Sequence, residues 1–314
     1  MFKNSPKRQP SIDLFSQIGS VQLQNPVMTA SGTAGYSSEL SSYFNPAQLG
    51  AFVTKSLSWF AHLGNQAPRV APARGAMLNS VGLQGPGLQY WMEKELPKLI
   101  KTKSKIVVSI WGFKVQDYLK AAEILADAPK EIVAIEVNVS CPNVEDRRKM
   151  FGHSATATAE VVQAVKDYKR PIWVKMSPNV TNLVDIASSA ISNGAQALVL
   201  VNTLMGMGIS TQNASYTLGA GGGGLSGPAL NGVALRSVYE CYEAFPDIPL
   251  VGVGGISRGS HAIEMIMAGA SAIQVGTASF VNPRACLVVL DEIRQWCEQN
   301  QVKKIKELIG VAHG

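Results

Sequence analysis

Cys141 lies in the run Asn138-Val-Ser-Cys-Pro-Asn143, a thiol set between two amides. The residues before it, 132–139, are rich in β-branched side chains and read as a buried strand, which Pro142 then stops. A thiol and two asparagines therefore fall where a strand gives way to a loop. Such a group suits proton transfer beside a polar heterocycle. A free cysteine is more often a small buried hydrophobe, and only its surroundings separate the two roles. Two lysines have a related placement, Lys55 after Phe52-Val-Thr and Lys175 after Ile172-Trp-Val. A lysine in an apolar strand is costly unless it meets an anion, either a salt-bridge partner at the rim or a bound ligand. Asn79, Asn138, Asn143 and Asn202 add amides, each able to donate and accept along the edge of a pyrimidine-like ring, although a lone asparagine is commonly a turn former.

Two glycine stretches, Gly252-Val-Gly-Gly255 and Gly276-Thr277, follow the last two strand candidates. Glycine lets backbone N–H groups approach an anion closely, so a phosphorylated ligand is expected there. Neither stretch fits G-x-G-x-x-G, so a dinucleotide fingerprint is not indicated.

The elements that must position these residues are short apolar runs at 26–30, 51–55, 106–110, 132–139, 171–176, 197–201, 249–253 and 272–275. Amphipathic segments at 116–126, 156–168, 183–193, 230–244 and 260–268 fall between them. Strand and helix in alternation imply parallel pairing with right-handed crossovers. Eight units predict a closed (β/α)8 TIM barrel, with an open doubly wound sheet as the competing arrangement. Polar and glycine residues gather after the strands, the end where a barrel carries its chemistry. Two long stretches, 56–89 and 204–228, are expected as inserted loops over that face. Residues 1–17 are expected to form a flexible N-terminal arm and 18–314 a single domain.

Composition narrows the class. Apolar residues make up 46% of the 314, ordinary for a globular protein, and no apolar run is long enough to span a bilayer. The first residues lack the apolar stretch of a secretory signal, so a cytoplasmic protein is expected. Four dispersed cysteines and four histidines show no ligand spacing, so no metal site is expected. The net charge of +6 is spread along the chain without a basic run interleaved with aromatics, which argues against nucleic acid.

Taken in order, Asn25-Pro-Val-Met-Thr-Ala-Ser-Gly32, Thr54-Lys-Ser56, Gly64-Asn-Gln-Ala-Pro-Arg69, Met77-Leu-Asn-Ser-Val-Gly-Leu-Gln84, the Cys141 motif, Val174-Lys-Met-Ser-Pro-Asn179 and Gly222-Gly-Gly-Leu-Ser-Gly-Pro-Ala229 resemble the class 1 dihydroorotate dehydrogenases. The resemblance is nearest to the NAD-linked 1B catalytic subunit. It implies FMN as cofactor and oxidation of dihydroorotate to orotate in pyrimidine synthesis, with Cys141 taking the C5 proton while C6 delivers a hydride to the flavin. A thiolate whose basicity is tuned near neutral pH would suit that role. The resemblance assigns substrate contacts to Lys55, Asn79, Ser80, Val81, Gly82, Leu83, Asn138, Asn143, Asn202 and Thr203. It assigns FMN contacts to Ser31, Lys55, Ser56, Ser109, Asn138, Lys175, Val201, Gly227, Gly254, Gly255, Gly276 and Thr277. Lys175 would offset charge on the reduced ring. A loop over the substrate would fall at 144–152.

The sequence departs from the family at two places. Glu145-Asp-Arg-Arg-Lys-Met150 stands where members usually carry a pair of glycines, and Ser109 stands where many have asparagine. The 1B enzymes work with a second subunit bearing FAD and a [2Fe–2S] cluster, so a homodimer or a heterotetramer with such a subunit is implied. Three other readings remain open: a fumarate-linked class 1A enzyme, a dihydropyrimidine dehydrogenase-like flavoenzyme, and a non-catalytic barrel that binds a phosphate ligand.

Overall fold

A computed structural model describes residues 12–141 and 150–314. Eight short strands form one parallel sheet: β1 (Val27–Thr29), β2 (Phe52–Val53), β3 (Ile106–Ile110), β4 (Ile132–Asn138), β5 (Ile172–Lys175), β6 (Ala197–Leu200), β7 (Leu250–Val253) and β8 (Ala270–Val275). Each pairs with its neighbour in sequence, β8 returns to β1, and a parallel bridge between Met28 and Ala51 joins β1 to β2. The sheet is thus closed, as expected for a (β/α)8 barrel, and the open doubly wound arrangement is excluded.

Local chemistry explains why the helices start and stop where they do. Asn182 caps the helix Leu183–Ser192 by accepting from the N–H groups of Val184 and Asp185, and Ser154 caps Ala155–Val165 through Ala157 N–H. Gly194 and Gly269 follow two of the helices with φ of +115° and +118°, a conformation that side chains disfavour. At Gly269 a β-carbon would also lie 2.2 Å from the Tyr242 ring.

Side chains along a strand alternate in direction, so β4 sends Ala134, Glu136 and Asn138 to one face, and β5 sends Trp173 and Lys175. The lower part of the barrel interior is apolar. Met28, Val53, Val107, Ala134, Trp173, Val199, Val251 and Ala272 pack there with almost no exposed surface. Above them the inward positions become polar, with Ser109, Glu136, Lys175 and Gln274 all buried.

Two features were not legible as elements in the sequence. Ser16–Ile18 and Val21–Leu23 form an antiparallel hairpin whose Ile18, Val21 and Leu23 pack into the apolar end of the barrel. Among the described residues, paired backbone begins at Asp13, whose N–H donates to Lys303 O at 2.9 Å, so the stretch expected as a loose arm is held from that residue onward. Residues 1–11 lie outside the described residues. The two long insertions also meet. Leu204–Met207, Gly222–Ser226, Ala76–Asn79 and Val70–Ala73 form a four-stranded antiparallel sheet, in that order. Glycine and Pro72 hid these strands, because both residues are poor strand formers.

Trp173 is the largest side chain in the apolar layer, and its indole N–H has no partner. Trp173→Ala should cost about 3–5 kcal/mol of folding stability by opening a cavity. Trp173→Phe, which keeps most of the volume and removes the unpaired N–H, should cost clearly less in urea unfolding. Equal losses would contradict this packing.

Candidate active site

A cavity of about 840 Å³ opens where the barrel strands end. That volume is typical of a site for a cofactor-sized ligand. Lys175 of the polar layer reaches its floor, the rest of that layer lying beneath, and the antiparallel sheet of the insertions walls one side.

Of the residues expected to contact substrate, Lys55, Asn79, Ser80, Val81, Gly82 and Leu83 all line the cavity, with Asn138, Asn202 and Thr203. Of those expected to contact FMN, Ser31, Ser56, Lys175 and Val201 line it too, joined by Gly227, Gly254, Gly255, Gly276 and Thr277. Asn143 lies outside the described residues, as does most of the loop expected over the substrate.

The amides are held in a directed chain. Glu136 Oε1 accepts from Ser109 Oγ at 3.1 Å, and the Ser109 oxygen is 2.9 Å from Ser56 Oγ. Asn138 Nδ2 donates to Ser56 Oγ at 3.3 Å, and Asn202 Nδ2 donates to Asn138 Oδ1 at 3.1 Å. With Ser109 Oγ donating to Glu136, its oxygen is left to accept from Ser56 Oγ, so the hydroxyls can point their hydrogens toward Glu136. That ordering leaves the second N–H of Asn138 and of Asn202 available at the cavity wall. Ser109, expected to contact the cofactor, is not among the residues lining the cavity. The inward face of β3 at this height lies one layer below the wall, and Ser109 is joined to the wall residue Ser56 by a hydrogen bond.

The two lysines differ. Lys175 is nearly buried on the floor, with Nζ 3.3 Å from Gln274 Oε1 and 3.7 Å from Glu136 Oε1. Lys55 sits at the wall, donating to Gln84 O at 2.8 Å and lying 5.2 Å from the centre of the Tyr36 ring. Burial, and then the Arg69 guanidinium, pull its pKa below that of an ordinary lysine. An anion at Lys55 would relieve both effects.

The glycines are required by space as well as by backbone angle. Gly254 and Gly255 have φ of +135° and +71°, and a β-carbon on Gly255 would lie 2.7 Å from Asn231 N. In the insertion sheet a β-carbon on Gly224 would lie 2.1 Å from Thr203 Oγ1, and one on Gly223 would lie 2.2 Å from Asn79 O. These close approaches bring Asn79 and Thr203 to the same wall, with Asn79 Nδ2 donating to Gly224 O at 3.2 Å.

Cys141 departs from expectation. Its Sγ has no exposed surface, donates to Asn138 O at 3.5 Å, and does not line the cavity, whereas the preceding Ser140 does. The Tyr118 hydroxyl, which donates to the same carbonyl at 2.8 Å, lies beside the thiol. Burial pushes the thiol up to about 12, against the smaller lowering by Tyr118 and the Gly112 backbone. The basicity expected near neutral pH is therefore not that of the thiol in this position, because desolvation disfavours the thiolate.

Sequence reasoning missed several wall residues. Asn179 staples the wall, donating from Nδ2 to Thr203 O at 2.9 Å and accepting from Met205 N at 2.7 Å. Its place just after β5 in Ser177-Pro-Asn179 was the available signal. His62 and Phe113 line the mouth within an aromatic cluster that includes Trp111 and Phe60. That grouping is built from distant segments and leaves no local pattern.

Fold and site together define a barrel enzyme whose active face carries a polar, cation-floored cavity with glycine-lined strand ends. The family model for dihydroorotate dehydrogenase matches residues 13–296, and the chain belongs to that family. It is 43% identical over 304 residues to a protein named putative dihydroorotate dehydrogenase A (fumarate) from Aquifex aeolicus, covering 96% of this chain and 99% of that one. It is 44% identical over 300 residues to the dihydroorotate dehydrogenase B (NAD(+)) catalytic subunit of Alkaliphilus metalliredigens, covering 95% and 98%. The same subunit of Bacteroides thetaiotaomicron is 42% identical over 299 residues, again covering 95% and 98%.

A thiol held up to about 12 carries about a thousandfold less thiolate near neutral pH than one at its ordinary value of 9.0. Iodoacetamide at pH 8 should therefore label Cys141 far more slowly than free cysteine, with mass spectrometry locating the adduct. Labelling as fast as the free amino acid would contradict the buried placement.

Proposed function

We propose that the chain oxidises dihydroorotate to orotate with FMN as its cofactor, and that the cavity residues named above carry out this reaction. Family membership supports the reaction, and the single observation that carries the site is the convergence of Lys55, Lys175, the amides and the glycines on one cavity.

The residues present fit FMN. Gly254, Gly255, Gly276 and Thr277 offer a close-packed backbone cradle for the phosphate at the ends of β7 and β8. Lys175 has donors to spare beyond Gln274 and would sit against the polar end of the ring system. Once bound, FMN supplies a two-electron acceptor for the hydride that leaves C6.

The remaining work falls to the chain. Lys55, half-desolvated, binds the substrate carboxylate, an interaction that a neutral pyrimidine ring would not gain. Asn138 and Asn202 offer N–H donors to the ring carbonyls, and Asn79 and Asn143 complete the amide set. Cys141 takes the C5 proton. To do so the thiol must leave the Asn138 carbonyl, release its own proton to solvent at the cavity mouth, and reach the bound ring as a thiolate. Charge on Lys55 and Lys175 favours a thiolate at the cavity and not in the buried niche. Closing the site over the ring would exclude water from the reacting atoms.

Electrons then pass to NAD through a partner subunit, a reading supported by the NAD(+) and catalytic-subunit wording in the names of two relatives. The FAD and [2Fe–2S] cluster on that partner come from the family resemblance alone. The name of the Aquifex relative supports fumarate as the acceptor instead: dihydroorotate oxidation by the purified chain with fumarate supports that reading, whereas NAD reduction only by the natively isolated complex supports the partner subunit. Residues 18–314 form one catalytic domain of a cytoplasmic enzyme, assembled as a homodimer or as a heterotetramer with the partner. Among the described residues no helix is long and apolar enough to cross a membrane.

Cys141→Ala should abolish dihydroorotate oxidation in a dye-coupled assay while FMN stays bound, and Cys141→Ser should turn over only at higher pH. Ser140→Ala tests the competing base, because Ser140 lines the cavity and its buried hydroxyl lacks a partner. Loss of activity in Ser140→Ala with full activity in Cys141→Ala would reassign the proton transfer. Dihydrouracil, which lacks the carboxylate, should be turned over at least tenfold less efficiently than dihydroorotate. Equal rates would remove the role given to Lys55, and Lys55→Ala should raise KM for dihydroorotate in the same assay.

A further inference from the structure

Glu136 has no exposed surface, does not line the cavity and is not needed as a ligand contact. Yet it stands on the inward face of β4, where the layer below is filled by apolar side chains. A carboxylate in that place is not explained by stability, because a buried ion pair rarely outperforms well-packed apolar residues.

Its partners indicate what it does. Oε2 accepts from Gln274 Nε2 at 2.6 Å, Oε1 accepts from Ser109 Oγ at 3.1 Å, and Lys175 Nζ lies 3.7 Å from Oε1. Gln274 closes the set by accepting from Lys175 Nζ at 3.3 Å through its own Oε1. Every group facing the carboxylate can present a hydrogen to it. Lys175 is thus tied from below by Glu136 and Gln274, and only its upper side is free for the cavity.

We propose that Glu136 is a positioning residue for Lys175: it fixes the ammonium at the cavity floor and offsets its charge, so that bound flavin keeps a lower reduction potential than an unpaired lysine would give. This rests on the flavin reading above. The physical reason is direct. Reduction adds negative charge to the flavin, a cation at the floor favours it, and an anion held just beneath that cation opposes it. Because the pair is buried, screening by water and salt is weak and the carboxylate is felt at the cavity.

The test uses the FMN-loaded enzyme and reads the midpoint potential of the bound flavin by dye-equilibrated reduction, together with flavin content from absorbance. Glu136→Gln, nearly equal in volume, should shift the potential to a more positive value with flavin still bound. Glu136→Asp, which keeps the charge, should remain close to wild type. A Glu136→Gln enzyme that holds flavin at an unchanged potential overturns the inference and leaves the proposed function standing. A wild-type chain that takes up no FMN takes both down. Should Glu136→Gln fail to fold, redox difference infrared spectra of wild type labelled with ¹³C-glutamate carry the test. A carboxylate stretch that moves on flavin reduction supports the coupling, and a glutamate spectrum indifferent to reduction overturns it.

Discussion

Charge taken out of water is the constraint around which this barrel is organised. Glu136 and Lys175 are both carried on strands into the interior, where neither could be ionised alone without a heavy desolvation cost. They are tolerated because Ser109 and Gln274 supply the missing hydrogen bonds, and because β4 and β5 are in a register that places them on the same interior face. From that centre a chain of hydroxyls and amides runs outward to Asn138 and Asn202. The polarity of the cavity wall is therefore set one layer beneath it. The apolar layer under the pair keeps water from reaching it from the other side.

Much of this was legible in the sequence, for identifiable reasons. All eight barrel strands were located by short β-branched runs, with ends differing by a residue or two, since a fully buried parallel strand must be apolar on both faces. The glycines after β7 and β8, and the lysines at the ends of β2 and β5, stood out because they break those runs. The insertion sheet did not stand out. Gly222, Gly223 and Gly224 have no side chains to alternate, and their strand exists because Asn79 and Thr203 approach too closely for anything larger.

The hidden parts of the site share one cause. Whether a residue on an inward strand position reaches the wall depends on its height in the barrel, and a linear pattern does not encode height. Ser109 and Lys175 look alike in sequence, each near the end of an apolar strand, yet one lies below the wall and the other forms it. Cys141 follows the same logic. Its motif marks a chemically able thiol, but the backbone turns Ser140 to the cavity and the sulfur toward Tyr118. Sequence gives the identity of such a group, and only the fold gives its orientation.

The small hairpin of Ser16–Leu23 has a bearing on traffic through the molecule. Ile18, Val21 and Leu23 stopper one end of the tube with side chains that admit no solvent. With that end filled by side chains, the doorway among the described residues is the cavity mouth at the strand ends, and what enters there leaves by the same face. Reactants that share such a chamber have to queue, and the order in which they come and go becomes a property of the doorway as much as of the chemistry behind it.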